Sequence, residues 1–130
     1  MTLSGRVALV TGASQGIGRA CALKLAQSGA TLALAARGQE KLNELAGQIA
    51  ASGGQAAAFP LDVNEEEQIR STFKAVLSQF GKIDILVNNA GITRDQLVMR
   101  MKRADWDSVL NTNLTSAYLC TQQAISSMLK

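Results

Sequence analysis

The 130-residue sequence contains no histidine and only two cysteines, Cys21 and Cys120, which lie far apart in the chain. Because zinc sites are built from histidine and clustered cysteine ligands, this composition argues against one, and we expect no bound metal. Both cysteines fall in predicted helices, where a thiol packs as a small apolar side chain. Unpaired cysteines fit a reducing compartment, so we expect a cytoplasmic location.

Aromatic residues make up only 4% of the chain, and the formal net charge is +3. Scarce aromatic rings and a mild, dispersed charge offer neither a stacking platform nor a basic groove, so we expect no nucleic-acid partner. No apolar run approaches the length that crosses a bilayer, and the N-terminus lacks the layout of a signal peptide, so we expect no membrane partner. The length and the 47% hydrophobic content suit one globular domain over residues 1–130.

The sequence is rich in apolar segments that alternate between strand and helix patterns. Four short apolar runs predict buried strands at Val7–Val10, Thr31–Ala36, Gln55–Pro60 and Ile83–Val87. Apolar residues at helical spacing predict helices that begin near Ile17, span Gln39–Ala51, run from an N-cap at Asn64 to Gly81, and span Ala104–Lys130. In the first helix the apolar positions that recur at this spacing are Ile17, Cys21, Leu25 and Ala26. Residues 92–103 are predicted as loop or short helix. This alternation predicts an α/β fold: a partial Rossmann-like, doubly wound parallel sheet of strand order 3-2-1-4 with helices on both faces.

Three glycines, Gly12, Gly16 and Gly18, lie between the first strand and the first helix. A turn without side chains beside a helix N-terminus leaves N–H groups and the positive end of the helix dipole for a phosphate, although glycines can also merely punctuate a loop. With Thr11, the spacing Thr-Gly-x-x-x-Gly-x-Gly resembles the signature of short-chain dehydrogenases/reductases. The resemblance implies that the cofactor is bound by Gly12, Ser14, Gln15, Gly16, Ile17 and Gly18.

The end of the second strand bears on the choice of cofactor. Sites for NAD usually carry Asp or Glu there, which accepts a hydrogen bond from the ribose 2′-hydroxyl. Here Ala35 and Ala36 are followed by Arg37, whose guanidinium suits a 2′-phosphate. We therefore predict that NADP(H) is preferred over NAD; the alternative is that Arg37 is a solvated loop residue.

Two further turns match the family. Asp62 and Val63 follow the third strand and resemble its adenine-contacting pair. The run Asn88-Asn89-Ala90-Gly91 matches the family's Asn-Asn-Ala-Gly turn, which braces the central strands and lines the cofactor. In the predicted strand order, this turn and the glycine turn lie at the carboxyl ends of neighbouring strands. Two separate motifs therefore converge on one crevice.

Only part of the family's catalytic machinery has a counterpart. Asn113 matches the helix asparagine of the catalytic tetrad, which holds a water in the proton relay, and the resemblance implies that Thr112 lies near the cofactor; alternatively, Asn113 is a solvated helix residue. The catalytic serine and Tyr-x-x-x-Lys are missing, since the only tyrosine, Tyr118, is followed four positions later by Gln122. We interpret Tyr118 as a helix-packing residue and expect that this chain does not reduce ketones efficiently.

The segment Gly91–Lys102, with Trp106, narrows the resemblance to 3-oxoacyl-[acyl-carrier-protein] reductases, in which NADPH reduces the 3-ketone of a thioester-bound chain in fatty acid synthesis. The chain resembles about the N-terminal half of such an enzyme, which implies a cofactor-binding half that is not catalytically competent alone. Four basic residues suit an acidic acyl carrier protein as a partner: Arg94, Arg100, Lys102 and Arg103. The alternative is that they form only a solvated face.

Two apolar surfaces are expected to remain uncovered. The strand Ile83–Val87 would form a sheet edge, and the helix Ala104–Lys130 would expose Val109, Leu110, Leu114 and Leu119. We therefore predict a homo-oligomer that associates through the fourth strand and the 104–130 helix. Two other functions stay open: a non-catalytic NADP(H)-binding module, and a structural half-fold that self-associates.

Overall fold

The computed structural model describes residues 2–90 and 102–129. The strands are β1 (Val7–Thr11), β2 (Thr31–Ala36), β3 (Ala56–Pro60) and β4 (Ile85–Val87). The helices are α1 (Gly16–Gln27), α2 (Gln39–Ala51), α3 (Glu66–Phe80), α4 (Arg103–Val109) and α5 (Ser116–Met128), and a π-helical segment joins α4 to α5 over Leu110–Thr115. Of the part predicted as loop or short helix, residues 92–101 lie outside the described chain.

All four strands are parallel, and their order is β3-β2-β1-β4. This confirms the predicted α/β fold with strand order 3-2-1-4. Every residue of β1 is buried, and Val10 lies between Leu34 of β2 and Val87 of β4. The strand order reverses at β1, because β2 and β3 lie on one side of it and β4 on the other. The carboxyl ends of β1 and β4 therefore lie side by side at the position where open α/β sheets bind ligands.

The sheet carries one apolar core on each face, because alternate strand residues point to opposite sides. In β1, Ala8 and Val10 belong to one core and Leu9 to the other. Buried residues of α1 and α2 complete the first core: Ala22, Leu42, Leu45 and Ile49. Buried residues of α3 and α5 complete the second: Ile69, Phe73, Val76, Cys120 and Ala124. Helices therefore cover both faces, as predicted.

Several predicted boundaries differ from the structure by one or two residues. The N-cap of α3 is Glu65 and not Asn64, because the Asn64 backbone N–H donates to the Asp62 carboxylate (3.0 Å) and closes a turn before the helix. The fourth strand begins at Ile85 rather than two residues earlier, since Asp84 receives the Val7 N–H with its side chain instead of its carbonyl. The third strand begins one residue later than predicted.

Two helices present faces that differ from those predicted. Ile17 is 73% exposed, and the buried residues of α1 are Gly18 and Ala22. These small residues turn inward because α1 approaches the glycine turn closely. Tyr118, interpreted as a packing residue, is 64% exposed, whereas its neighbour Leu119 packs against the second core.

The predicted long helix is observed as a continuous helical run through α4, the π segment and α5. Of its apolar residues predicted to be exposed, Leu110 and Leu114 are exposed, while Val109 and Leu119 are half-buried.

Cys120 is buried, and desolvation raises the pKa of its thiol to about 11, so the thiol stays protonated at neutral pH. It packs as an apolar residue, as predicted.

Within residues 2–90 and 102–129, none of the helices combines the length and apolarity that crossing a bilayer requires. The same part of the chain contains no group of three or more histidine, cysteine or acidic side chains that could hold a metal ion. Among the described strands, β4 pairs with β1 alone and forms one edge of the sheet.

Candidate functional site

A cleft of about 710 Å³ opens at the carboxyl ends of the strands. Its walls are the glycine turn after β1, the turns after β2 and β3, the start of the turn after β4, and residues of α4 and the π segment. The residues that line it are Gly12, Ser14–Ile17, Ala35–Gly38, Glu40, Lys41, Leu61–Asn64, Asn89, Ala90, Ser108 and Thr112. A smaller hollow of about 360 Å³ lies at the opposite end of the sheet, and its lining contains no charged side chain among the described residues.

The three glycines of the turn after β1 are required for different reasons. Gly12 and Gly16 have φ values of +66° and +60°, in the left-handed region where side chains are strained. Gly18 has no such φ, but a Cβ there would overlap the Gly12 carbonyl oxygen and come within 2.5 Å of Asn89 Nδ2. Two glycines therefore shape the turn, and the third lets α1 approach it.

Thr11 joins this turn to the one after β4. Its hydroxyl oxygen accepts hydrogen bonds from the backbone N–H groups of Asn89 (3.0 Å) and Ala90 (3.1 Å), and donates to the Val87 carbonyl (3.3 Å). The Asn89 side-chain amide donates to the Gly12 carbonyl (3.3 Å). The two motifs therefore form one hydrogen-bonded unit, with Thr11 only 2% exposed at its centre.

The N-terminus of α1 faces this unit, and neither a capping side chain nor an acidic residue of the first turn balances its helix dipole. Gln15, the N-cap, makes no side-chain hydrogen bond to the helix, and the first turn contains no acidic residue. Its backbone N–H groups and the positive end of the helix dipole are consequently suited to an anionic group in the cleft.

The turn after β2 brings two cations to the cleft. Arg37 lines the cleft directly after the buried end of the strand, and Lys41 reaches it from the first turn of α2, where its ammonium donates to Gln15 Oε1 (3.1 Å). Glu40 adds a carboxylate to the same wall. Sequence reasoning missed Glu40 and Lys41, although their places in the first turn of a helix that follows Arg37 could have indicated them.

The turn after β3 is held at both ends. The Asp62 backbone N–H donates to Gln68 Oε1 (2.9 Å), and the Asp62 carboxylate accepts the Asn64 N–H (3.0 Å). Val63 is half-buried and packs against the second core. Asn64 Oδ1 accepts the Thr112 hydroxyl at 2.7 Å, so this turn also contacts the π segment.

The π segment is an irregularity that the sequence did not predict. Thr112 is 4% exposed, and its carbonyl accepts a hydrogen bond from the Ser116 hydroxyl, which lies one turn further along the helix. Asn113 follows in the same segment and is exposed. Short π-helical turns inside α-helices occur frequently at functional sites.

A family model described as short chain dehydrogenase matches residues 6–130. The chain belongs to this short-chain dehydrogenase family. It is 47% identical over 124 residues, which is 95% of this chain and 50% of the relative, to 3-oxoacyl-[acyl-carrier-protein] reductase FabG of Staphylococcus aureus. It is 42% identical over 130 residues to FabG of Thermotoga maritima, of which it covers 53%.

Solved structures agree with this assignment. The crystal structure of a metagenomic short-chain oxidoreductase in complex with NADP matches with a TM-score of 0.93 at 40% identity, covering 99% of this chain and 59% of that one. The chain spans about half the length of the curated relatives it matches.

The fold brings most of the predicted site residues to one cleft. Gly18 lies behind the glycine turn, and the Asn88 amide donates to Thr121 of α5 (3.1 Å). Neither Asn88 nor Asn113 is among the described residues that line the cleft, and Gly91 lies outside the described part of the chain.

The basic patch predicted as a carrier-protein surface is described only in part. Arg94 and Arg100 lie outside the described residues, whereas Lys102 and Arg103 are exposed. Arg103 Nε donates to the Asp107 carboxylate at 3.0 Å. This ion pair lowers the positive charge that Arg103 presents to a partner.

Proposed function

We propose that the cleft binds NADP(H) and that the chain is the cofactor-binding half of an NADPH-dependent 3-oxoacyl-[acyl-carrier-protein] reductase. The observation that carries the proposal is the joined pair of turns, in which the Asn89 amide holds the Gly12 carbonyl (3.3 Å) beside the uncompensated start of α1. A helix N-terminus next to a backbone free of side chains suits the diphosphate of a dinucleotide. The relative crystallised with NADP and the relatives named as 3-oxoacyl reductases support this proposal.

The end of β2 favours a cofactor that carries a 2′-phosphate. Ala36 leaves no carboxylate where sites for NAD usually hold the ribose hydroxyl. Arg37 and Lys41 line this wall, and two cations outweigh the single carboxylate of Glu40. We therefore propose that NADPH is bound in preference to NADH, with the adenine beside Asp62 and Val63.

The chemistry that the chain supplies is mainly binding and orientation. When bound, the reduced nicotinamide supplies a hydride. Reduction of a ketone also needs a proton, and Asn113 is proposed to hold a water of the proton relay, but the serine and Tyr-x-x-x-Lys have no counterpart in this sequence. Tyr118, exposed on α5, does not line the cleft. The proposal is binding without sustained turnover, and steady NADPH oxidation by the purified chain with a 3-oxoacyl thioester would contradict it.

Two protein partners form part of the proposal. An acidic acyl carrier protein would meet the basic residues around Lys102, and a second copy of the chain would cover the β4 edge and the apolar surface of the helical run. Exposed apolar residues on that run are Trp106, Leu110, Leu114, Tyr118, Ile125 and Met128. A cytoplasmic location is proposed because Cys21 and Cys120 are free thiols, which fits a reducing compartment.

Calorimetric titration of the purified chain with NADPH and with NADH tests the cofactor site. We expect tighter binding of NADPH, and we expect Arg37→Ala to weaken NADPH binding by about 10-fold or more while leaving NADH binding almost unchanged, because only NADPH loses a charge-assisted contact.

The matched control is Lys74→Ala, which removes an exposed cation of α3 that does not line the cleft. This variant should retain the preference of the unaltered chain. Equal affinities for the two cofactors, or an equal loss for Arg37→Ala and Lys74→Ala, would contradict the assignment of Arg37.

A further inference from the structure

A long-range hydrogen bond connects the turn after β3 with the π segment. The Thr112 hydroxyl donates to Asn64 Oδ1 at 2.7 Å, across 48 residues of sequence, and both residues line the cleft. We propose that this bond, the Asn64–Thr112 latch, couples nucleotide binding beside Asp62 and Val63 to the order of the π segment that carries Asn113. Asn64 and Thr112 are then positioning residues, and the inference rests on the proposed function.

Both ends of the latch are held by other contacts. Asn64 donates its backbone N–H to the Asp62 carboxylate (3.0 Å), and Asp62 is in turn tied to Gln68 of α3 (2.9 Å). Thr112 is buried, and its carbonyl accepts the Ser116 hydroxyl. A bond between two anchored groups transmits a displacement, whereas a bond between freely rotating side chains would absorb it.

The helix that precedes the π segment is short and lies at the surface. The preceding helix, α4, is seven residues long and contains no buried residue. π-Helical turns also depart from the regular i→i+4 hydrogen bonds that make an α-helix cooperative. The burial of Thr112 and the latch therefore contribute to the position of Asn113.

Coupling of this kind acts in both directions. A ligand that holds the turn at Asp62 stabilises the π segment through the latch, and an ordered π segment strengthens binding of that ligand by the same free energy. Because the turn at Asp62 lies on the proposed adenine side, the adenosine half of the cofactor should suffice, without the nicotinamide. This separates the latch from any direct contact between the nicotinamide and the π segment.

The test is amide hydrogen exchange over residues 110–116, with and without saturating 2′,5′-ADP. In the unaltered chain, 2′,5′-ADP should slow exchange in this segment by about 5-fold, the effect of one hydrogen bond. Thr112→Val, which keeps the side-chain volume and removes the hydroxyl, should lose this ligand-dependent slowing. Thr112→Ser, which keeps a hydroxyl, should restore it.

The measured quantity is the ratio of the exchange rates without and with 2′,5′-ADP. If the Thr112 hydroxyl only stabilised the fold, its removal would change both rates equally and leave this ratio unchanged. Thr115→Val, an exposed position in the same segment, is the matched control and should behave as the unaltered chain. Asn64→Ala breaks the latch from its exposed side and serves if Thr112→Val does not fold. If a folded latch variant still binds 2′,5′-ADP and shows the full ligand-dependent slowing, the latch alone is overturned. If the unaltered chain binds neither 2′,5′-ADP nor NADPH, the proposed function and the latch are overturned together.

Discussion

At the scale of single residues, the cleft depends on three glycines, which have no side chain, as much as on the side chains that line it. The spacing of Gly12, Gly16 and Gly18 predicted the turn, because each glycine has a separate steric or conformational reason. The outward direction of Ile17 could not be predicted, since hydrophobic periodicity assumes that the larger apolar residue turns inward. Here the absence of a Cβ at Gly18 decides which face of α1 packs.

The substitution Gly18→Ala tests this explanation. An added Cβ would meet the Gly12 carbonyl and the Asn89 amide, so we expect the free energy of unfolding to fall by about 2 kcal/mol. The control is Gly47→Ala in α2, where no atom lies within 4 Å of an added Cβ, and alanine should raise the free energy of unfolding by about 1 kcal/mol. Urea denaturation measures both, and stabilisation by Gly18→Ala would refute the close approach.

Residue identity alone predicted which side chains line the cleft better than it predicted the contacts that they make. Arg37 lines the cleft as its position after β2 indicated, but Lys41 reaches it only because α2 starts at once after the turn. Asn88 and Asn89 are adjacent in one motif, yet Asn88 contacts Thr121 of α5 and Asn89 contacts Gly12. Successive side chains leave a strand end in opposite directions, so only a three-dimensional structure assigns each to its partner.

At the scale of elements, strand order followed from the sequence because few topologies are allowed for alternating strands and helices. The π segment could not be predicted in the same way. Four of its six residues are Asn or Thr, which form helices weakly but do not specify a π turn. The contacts that accompany the irregular turn, from Thr112 to Asn64 and from Ser116 to Thr112, are partly long-range. Local propensity contains no information on such contacts.

Asp84 connects the start of β4 to β1. Its carboxylate accepts the Val7 N–H (2.8 Å), and its own N–H donates to the Val7 carbonyl (2.8 Å). The hydrogen bond from Val7, assisted by the Lys82 ammonium at 3.1 Å and opposed by partial desolvation, holds the pKa of Asp84 below its ordinary value of 3.8. The charged carboxylate therefore stabilises the pairing of β1 with β4.

This lowered pKa predicts an acid-dependent contribution to stability. The contribution is complete above the ordinary pKa of the unfolded chain and is lost as the pH falls through the lower pKa of the folded chain. Asp84→Asn should lower the free energy of unfolding at pH 7 by about 1 kcal/mol, and the difference from the unaltered chain should shrink below about pH 4. Urea denaturation at several pH values measures it.

Glu67→Gln is the control for this prediction, because Glu67 forms an exposed ion pair with Arg70. Its effect at pH 7 should stay below about 0.5 kcal/mol. A deficit for Asp84→Asn that is the same at pH 7 and at pH 3 would contradict the role assigned to the charge.

At the scale of the whole molecule, two surfaces remain apolar or unpaired in the described part of the chain. The β4 edge has one strand neighbour, and Leu114 and Tyr118 are 67% and 64% exposed on the helical run. Exposed apolar patches and open strand edges favour association between copies. The β4 edge and the exposure of Leu114 were predicted from the strand order and the helical periodicity, whereas the exposure of Tyr118, which was interpreted as a packing residue, was not.

We expect the chain to self-associate in sedimentation velocity experiments over micromolar concentrations. Leu114→Glu should raise the dissociation constant by about 10-fold or more, because it places a charge in the apolar surface. Ala50→Glu, at an exposed position of α2, introduces the same charge elsewhere and should leave association unchanged. A monodisperse monomer of the unaltered chain at high concentration would contradict the prediction.

The proposed function depends on the binding of a dinucleotide in one cleft at the carboxyl ends of the strands. Its most direct test is a titration of the isotopically labelled chain with NADPH, followed by the amide chemical shifts of each residue. A dinucleotide bound in this cleft should produce saturable shifts that concentrate in Gly12–Gly18, Arg37–Lys41, Asp62–Asn64 and the turn after β4. Shifts that cluster instead around the smaller hollow at the opposite end of the sheet, or a folded chain whose amides do not respond, would contradict it.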